Sequence, residues 1–577
     1  MKWWNDLATI AETSNIEFGP GIIVMGLIWL LAGVGVFIVG MNFLSNALEK
    51  SAGGGMKQLL GKISNNRFAG VGIGAGVTAI IQSSSATSVM VIGLVNAGVM
   101  TLMQATPIIM GANIGTTVTG LLVSLKNDFF NYAMYLLAFA GVMMGFIKNS
   151  KVKLIGSLLS GLGLIFVGLD IMSSEQAFGS GAIKLVFSDI LSRVNFPLLL
   201  IIIGAVFTAL IQSSSAATGV VITMVGTGVM GLGDALFVVL GANIGTCVTA
   251  LLASLGAKPN SKRVAFIHFT FNVIGTVFFA TLIWILQGAF QGLAERVLEW
   301  MVPGENQMSM QMRVSLFHVI FNVSTTLILL PFVKLLVKFS ELVIRDKKDV
   351  AEKLTLKFVD DRLLSTPPVA LMQVKKEIDY MLGLVEENIG LSFVAMETGS
   401  LEHSEKIAKN EEIIDYTNSA LTKFLIKLTS SVEQSDEKII GSYFHVLNDL
   451  ERIGDHAENF HDIGVELAEK ELSFSEDARG GIKEMRDNVS AMFQIAKEAF
   501  EKVNKKHLPE LTKLENDVDE QKRTLSAAHF SRLAEGNCHM ELSPYYSSVI
   551  TGLERVADHL VNVGYSIVNP TGSQKDN

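Results

Sequence analysis

Two stretches of the sequence set four uncharged polar side chains between strongly apolar runs: Gln82-Ser83-Ser84-Ser85 and Gln212-Ser213-Ser214-Ser215. Serine hydroxyls and a primary amide offer both donors and acceptors. A helix that starts at such serines adds free N–H groups and a positive dipole end, which suit an anion. The same oxygens, with backbone carbonyls, suit a hard monovalent cation, and the lack of a carboxylate argues against a divalent cage. An oxyanion carried with a small cation fits this inventory best. A bland alternative is that the hydroxyls merely bridge close-packed membrane helices. That reading does not require the second polar run, Gly111-Ala112-Asn113-Ile114-Gly115-Thr116, to recur alongside as Gly241-Ala242-Asn243-Ile244-Gly245-Thr246.

These stretches lie in a duplication. Aligned without gaps, 77–125 and 207–255 share 28 of 49 positions, far beyond chance. Further upstream, Gly33, Gly35 and Gly40 match Gly161, Gly163 and Gly168. Composition separates two domains: residues 1–340 carry 18 Lys/Arg and 12 Asp/Glu, and the remainder 28 and 43. The first reads as integral membrane, the second as soluble and acidic. Nothing in either favours nucleic acid. The two cysteines, Cys247 and Cys538, make no disulfide framework and read as a small buried thiol and an incidental cytosolic one.

A bilayer needs about 20 apolar residues per helix, which predicts whole spans near 21–45, 104–125, 130–147, 154–173, 233–255, 264–290 and 313–338. The segments 68–99 and 195–230 are apolar but interrupted at the serines, and read as re-entrant helical hairpins with the serines at their tips. The Gly-Ala-Asn-Ile-Gly-Thr runs are expected to break the spans that carry them. Basic loops with Lys50, Lys57, Lys62 and Arg67, with Lys148, Lys151 and Lys153, and with Lys258, Lys262 and Arg263 should be cytoplasmic. That puts the N-terminus outside and the soluble domain inside a cell membrane. Three spans separate the repeats, about 21–147 and 154–290, so their topology is inverted. The predicted class is membrane all-α, with a transport domain 1–340 followed by a cytoplasmic all-α domain 345–577.

With paired Gln-Ser-Ser-Ser and paired Gly-Ala-Asn-Ile-Gly-Thr motifs, residues 20–340 resemble the type II sodium–phosphate cotransporters. The resemblance implies sodium-coupled uptake of inorganic phosphate by alternating access. It implies that Ser83, Ser84, Ser85, Ser213, Ser214 and Ser215 hold phosphate, and that Gln82, Asn113, Thr116, Thr119, Gln212, Asn243, Thr246 and Thr249 shape sodium sites. Thr117 is matched by Cys247, a poor sodium ligand, so the two cation sites need not be equivalent. A His-x-x-Phe-Asn element occurs twice after the second repeat, as His268…Asn272 and His318…Asn322. The i, i+4 spacing puts each His and Asn on one helix face. They read either as interhelical hydrogen bonds or as a proton-sensitive element near the pathway. Asp170, matching Asn42, reads equally as a solvated helix end or a cation-coupling group.

The charged part predicts six amphipathic helices near 368–398, 402–430, 434–470, 476–504, 506–535 and 541–568, forming two three-helix bundles in tandem. It too is duplicated: Leu450-Glu451-Arg452-Ile453-Gly454-Asp455-His456 returns as Leu553-Glu554-Arg555-Val556-Ala557-Asp558-His559, and Glu411…Asp415 as Glu515…Asp519. Each Glu-x-x-x-Asp puts two carboxylates on one face, and facing pairs make either a metal site or a salt network with the arginines. This part resembles PhoU over about 365–568, which implies metal-binding bundles that restrain or report on phosphate uptake, with a divalent or transition metal. Membrane-anchored sensing without transport and carriage of another oxyanion are the alternatives, and a homo-oligomer is left open. An enzyme is disfavoured, since no serine has an acid–base partner implied by spacing and no nucleotide-binding glycine loop occurs.

Overall fold

A computed structural model describes residues 2–14, 16–61, 66–125, 128–179, 181–194, 196–289, 292–345, 354–430, 432, 434–502 and 505–568. Lys62, expected in a cytoplasmic loop, lies outside the described residues. All regular structure among them is helical, in two units, Met1–Lys348 and Asp349–Asn577.

The first unit holds α1 (Lys2–Thr13), α2 (Pro20–Gly61), α3 (Arg67–Ile81), α4 (Ser84–Asn96), α5 (Leu102–Val123), α6 (Asp128–Gly145), α7 (Ser150–Ser173) and α8 (Ala182–Ser192). It continues with α9 (Pro197–Ile211), α10 (Ser214–Gly226), α11 (Leu232–Ala253), α12 (Pro259–Gly288), α13 (Leu293–Met301), α14 (Gln307–Leu329) and α15 (Val333–Val343). Six helical stretches among the described residues are long and apolar enough to cross a membrane: α2, α5, α7, α11, α12 and α14–α15. The expected span 130–147 is α6, whose 18 residues reach about 27 Å at 1.5 Å per residue. Pro331 interrupts the last span with a short 3-10 turn, and Arg67 Nη1 donates to the carbonyls of Leu330 and Pro331 there (3.3 and 3.1 Å).

One expectation fails. The Gly-Ala-Asn-Ile-Gly-Thr runs do not break their helices; α5 and α11 are continuous through them. Glycine costs a helix about 1 kcal/mol against alanine, yet tertiary packing outweighs that here. A Cβ on Gly111 or Gly115 would strike the carbonyls of Val71 or Ala75 on α3, and one on Gly241 or Gly245 those of Ile201 or Ala205 on α9. The glycines are bare so that a neighbouring backbone can lie directly on them.

The upstream glycines carry topology. Gly33 of α2 packs on Gly168 of α7, and Gly40 on Gly161. Gly33 is the sequence match of Gly161, and Gly40 of Gly168, so exchanging the two copies turns one contact into the other. Only an antiparallel pair related by a two-fold does that: the first glycine of one helix meets the last of its partner. Gly163 departs from the symmetry, facing Met134 and Ala138 of α6, while its match Gly35 has open space.

The second unit comprises α16 (Pro367–Thr398), α17 (Ser404–Thr429), α18 (Gln434–Glu469), α19 (Glu476–Lys502), α20 (Leu508–Ala534) and α21 (Ser543–Val568). Leu447, Leu450, Ile453, Ala457 and Phe460 recur on α18 at three- and four-residue spacing and are all buried. α16, α17 and α18 pack on one another, as do α19, α20 and α21, with α18 against α21 and α16 against α19.

Candidate functional site

Each Gln-Ser-Ser-Ser run is a chain reversal between two helices. Gln82 and Gln212 adopt the left-handed conformation (φ 59° and 58°) that closes α3 and α9. Glycine would occupy it without strain, so a glutamine there in both copies points to work for the amide. Ser83 and Ser213 then cap α4 and α10, accepting from the N–H groups of Ala86 and Ala216 (3.1 and 3.2 Å). The caps leave the N–H groups of Ser84, Ser85, Ser214 and Ser215 outside the helical ladder, with the side chains of Ser84, Ser214 and Ser215 buried.

The two runs meet. Thr119 of α5 donates to Gln82 Oε1 (2.6 Å), and Ser215 Oγ donates to Thr119 Oγ1 (3.4 Å). One hydrogen-bonded line thus crosses from the first repeat into the second, where α10 lies against α5 and α4 against α11. Gln82 Nε2 is held by the Ala79 carbonyl (2.6 Å). The twin positions differ: Gln212 is exposed, and Thr249 Oγ1 is buried without a hydrogen-bond partner. Thr116 and Thr246, both buried, donate back to Ala112 and Ala242 (3.1 Å each), which leaves their lone pairs for a cation.

Asn113 and Asn243 sit mid-helix on α5 and α11, and each is gripped by one His-Asn pair. Asn113 Nδ2 donates to Asn272 Oδ1 (3.1 Å) while His268 Nε2 lies 3.4 Å from Asn113 Oδ1. Asn243 Nδ2 donates to Asn322 Oδ1 (3.5 Å), with His318 Nε2 3.3 Å from Asn243 Oδ1. Asn272 and Asn322 each donate in turn to the carbonyl of the histidine four residues before them (3.0 and 2.9 Å). Both His-x-x-Phe-Asn elements follow the second repeat in sequence, yet α12 serves the first and α14 the second. Sequence reasoning missed this division, although the repeated spacing carried the signal. Cys247 lies in the first clamp, its sulfur accepting from Asn272 Nδ2 (3.3 Å). Thr117, its match, donates to the Ile114 carbonyl (2.7 Å).

In the second unit, Glu411 is buried on α17 with neither carboxylate oxygen hydrogen-bonded. Burial, then the charges of Asp415, Glu458, Asp455 and Glu451, push it up to about 7. Gly454 makes room, since a Cβ there would stand 3.0 and 3.1 Å from the Glu411 oxygens. A buried carboxylate beside four others, short of donors, is a donor set for a hard or borderline cation. The matched set differs. Glu515, Asp519 and Asp558 bring oxygens within 4.8 Å of one another, and burial raises both Glu515 and Asp558. Glu554 instead pairs with Lys522 (3.1 Å) and Arg555 (3.7 Å). Ala557 stands where the first set has Gly454.

The Na+/Pi-cotransporter family model matches residues 36–174 and 181–294, and the PhoU domain model residues 378–463 and 482–567. YqeW of Bacillus subtilis is 32% identical over 54% of this chain and 96% of its own length. The putative inorganic phosphate export protein YjbB of Salmonella typhimurium is 24% identical, covering 94% of this chain and 97% of its own. Sodium-dependent phosphate transport protein 2A of Mus musculus is 23% identical over 43% of this chain and 59% of its own.

Proposed function

Since the chain belongs to the Na+/Pi-cotransporter family in its first half and carries PhoU domains in its second, we propose that this multi-pass membrane protein is a sodium-coupled phosphate symporter. It carries inorganic phosphate inward by alternating access, without a covalent step. α3–α4 and α9–α10 are re-entrant hairpins in this reading, entering from opposite faces of the cell membrane, with the N-terminus outside and the PhoU domains in the cytoplasm. Phosphate sits at the serine tips, on the open N–H groups and hydroxyls of Ser83, Ser84, Ser85, Ser213, Ser214 and Ser215. Sodium ions sit beside it on oxygens of Gln82, Thr116, Thr119, Gln212, Thr246 and Thr249, with the clamped Asn113 and Asn243 behind them. The observation that carries the proposal is the line Gln82–Thr119–Ser215, because it joins the two repeats at the polar tips. Rocking one repeat against the other must break and remake it.

The bundles of the second unit are the regulatory part. Glu411, Asp415, Glu451 and Asp455 hold one cation, and Glu515, Asp519 and Asp558 another. Such ions would neutralise carboxylates that otherwise repel.

The test is flux of labelled phosphate in proteoliposomes under an imposed sodium gradient. Gln212→Ala and Ser213→Ala should each abolish sodium-dependent uptake while leaving folded protein. Undiminished flux in both sinks the site. Export is the second reading, favoured because a relative named for phosphate export aligns along 94% of this chain. Outward flux from phosphate-loaded vesicles that needs no sodium gradient would select it.

A further inference from the structure

The two asparagine clamps are built on bonds that cross between the repeats. His268, Asn272 and Thr276 follow at four-residue spacing on α12, and His318, Asn322 and Thr326 at the same spacing on α14. Each set is therefore one stripe along its helix. The histidine and asparagine of α12 grip Asn113 on α5, in the first repeat. Thr276, one turn on, instead donates to the Leu240 carbonyl of α11 (3.2 Å), in the second. On α14 the direction is reversed. His318 and Asn322 grip Asn243 on α11, and Thr326 donates to the Met110 carbonyl of α5 (3.3 Å). Met110 and Leu240 are themselves matched, three residues before the two asparagines. Each helix thus straps one repeat's asparagine to the other repeat's main chain. Further bonds reinforce this: Ser315 Oγ of α14 donates to the Gly120 carbonyl of α5 (2.7 Å), and Cys247 Sγ of α11 to the His268 carbonyl of α12 (3.6 Å). Ser261, at the start of α12, adds a bond to the Ile92 carbonyl of α4 (3.1 Å). Thr276 and Thr326 are both buried. The straps also bear on each other. A Cβ on Gly275 would stand 2.6 Å from Thr325 Cγ2, and the rings of Phe279 and Phe321 meet edge to face at 5.3 Å.

We propose that Thr276 and Thr326 are positioning residues that couple the two cation sites, so that sodium at one favours sodium at the other. The inference rests on the reading that Asn113 and Asn243 stand behind those sites. Each of α5 and α11 is held by one strap at its asparagine and by the other strap at the carbonyl three residues earlier. A shift of α5 against α11 therefore strains both straps at once, and the two asparagines keep or leave their clamps together. An ion that favours the gripped form of one site favours the gripped form of the other, and the effect is reciprocal. Neither threonine is among the residues assigned to ion or phosphate, so each acts only through the geometry of the clamps.

The experiment is equilibrium binding of radiolabelled sodium to the purified full-length protein in detergent, with choline holding the ionic strength constant. Coupling of about tenfold between two sites gives a Hill coefficient of about 1.5. Thr276→Val and Thr326→Val each remove one hydroxyl, and should lower the coefficient by equal, partial amounts. The double valine variant should bring it to about 1 and raise half-saturation about threefold, the square root of that coupling. The double variant Thr276→Ser with Thr326→Ser keeps both donors and should retain the parent's steepness, a rescue that lost packing alone would not give. A parent coefficient of 1, a folded double valine variant with the parent's coefficient, or a double serine variant as flat as the valine one overturns the proposal. In each of these cases saturable sodium binding persists and the transport reading stands, whereas a parent that binds no sodium removes both.

Discussion

The two hairpins share Thr-Ala-x-Ile-Gln-Ser-Ser-Ser-Ala and nearly identical backbone angles, yet their side chains are in different states. The first is knitted in: Gln82 is held by Ala79 and Thr119, and Thr78 donates to Thr87 Oγ1 (2.9 Å). The second is loose: Gln212 is exposed, while Thr208 and Thr249 have buried hydroxyls without partners. One difference is written in sequence, since Thr87 is matched by Ala217, which leaves Thr208 nothing to bond. The other is conformational, because Thr119 and Thr249 are the same residue in equivalent positions. On the proposed function, equal motifs in unequal surroundings correspond to a carrier at rest on one side of its cycle. A buried unpaired hydroxyl costs about 1–3 kcal/mol; Thr208 and Thr249 bear that cost where their twins Thr78 and Thr119 do not, while Ser88 and its match Thr218 are unpaired alike.

Substitutions can break that comparison. Thr119→Val removes the shared centre of the line and should lower phosphate flux by about 5–150-fold, the rate equivalent of 1–3 kcal/mol. Thr249→Val, at a hydroxyl with no partner in this state, should cost less in binding at equilibrium. Equal losses of phosphate affinity in both variants would show that the asymmetry has no bearing on the site. His268→Ala and His318→Ala each unclamp one motif asparagine, so both should lower thermal stability in detergent by similar amounts, on the order of 1–3 kcal/mol. A large effect from only one would deny that α12 and α14 are equivalent.

The second unit holds its own unequal twins. Glu411 is raised from 4.5 to about 7, so the folded state keeps a proton that the unfolded chain has already lost. Its contribution is therefore full below about pH 4.5 and fades as pH rises through 7. Unit 349–577 in chelator should melt several degrees lower at pH 8 than at pH 5. Glu411→Gln should flatten that slope, and Glu515→Gln should do so less. Added divalent cation should restore the parent at pH 8 and leave Glu411→Gln little changed. The smallest effect belongs to Ala217→Thr, which gives Thr208 the partner that Thr78 has. About 1 kcal/mol of added stability is expected from the melting point, with flux unchanged.

Much of this was legible before any coordinates. Ser83 and Ser213 announce helix starts by residue type, and their apolar flanks announce the segments on either side. The glycine runs misled, because local propensity treats Gly111 and Gly115 as breaks while a backbone lying on them keeps the helix whole. Interhelical bonding by the His-Asn pairs was one reading of their spacing, but their partners were not legible: His268 and Asn113 are 155 positions apart, and nothing in either neighbourhood names the other. Glu554 likewise looks like a ligand beside Arg555 in its own helix, and the second cation that pairs it, Lys522, comes from α20.

The glycine seam between α2 and α7 has a mechanical meaning. Most helix pairs interlock through side chains, so turning one against its neighbour means dragging knobs out of holes. At Gly33, Gly40, Gly161 and Gly168 there are no knobs. There the two rods come close, Gly33 against the Gly168 carbonyl and Met172, and Gly40 against the main chain of Gly161 and Ile165. On the proposed function, that seam is where the two repeats would turn on each other, at four residues that hold neither ion nor substrate.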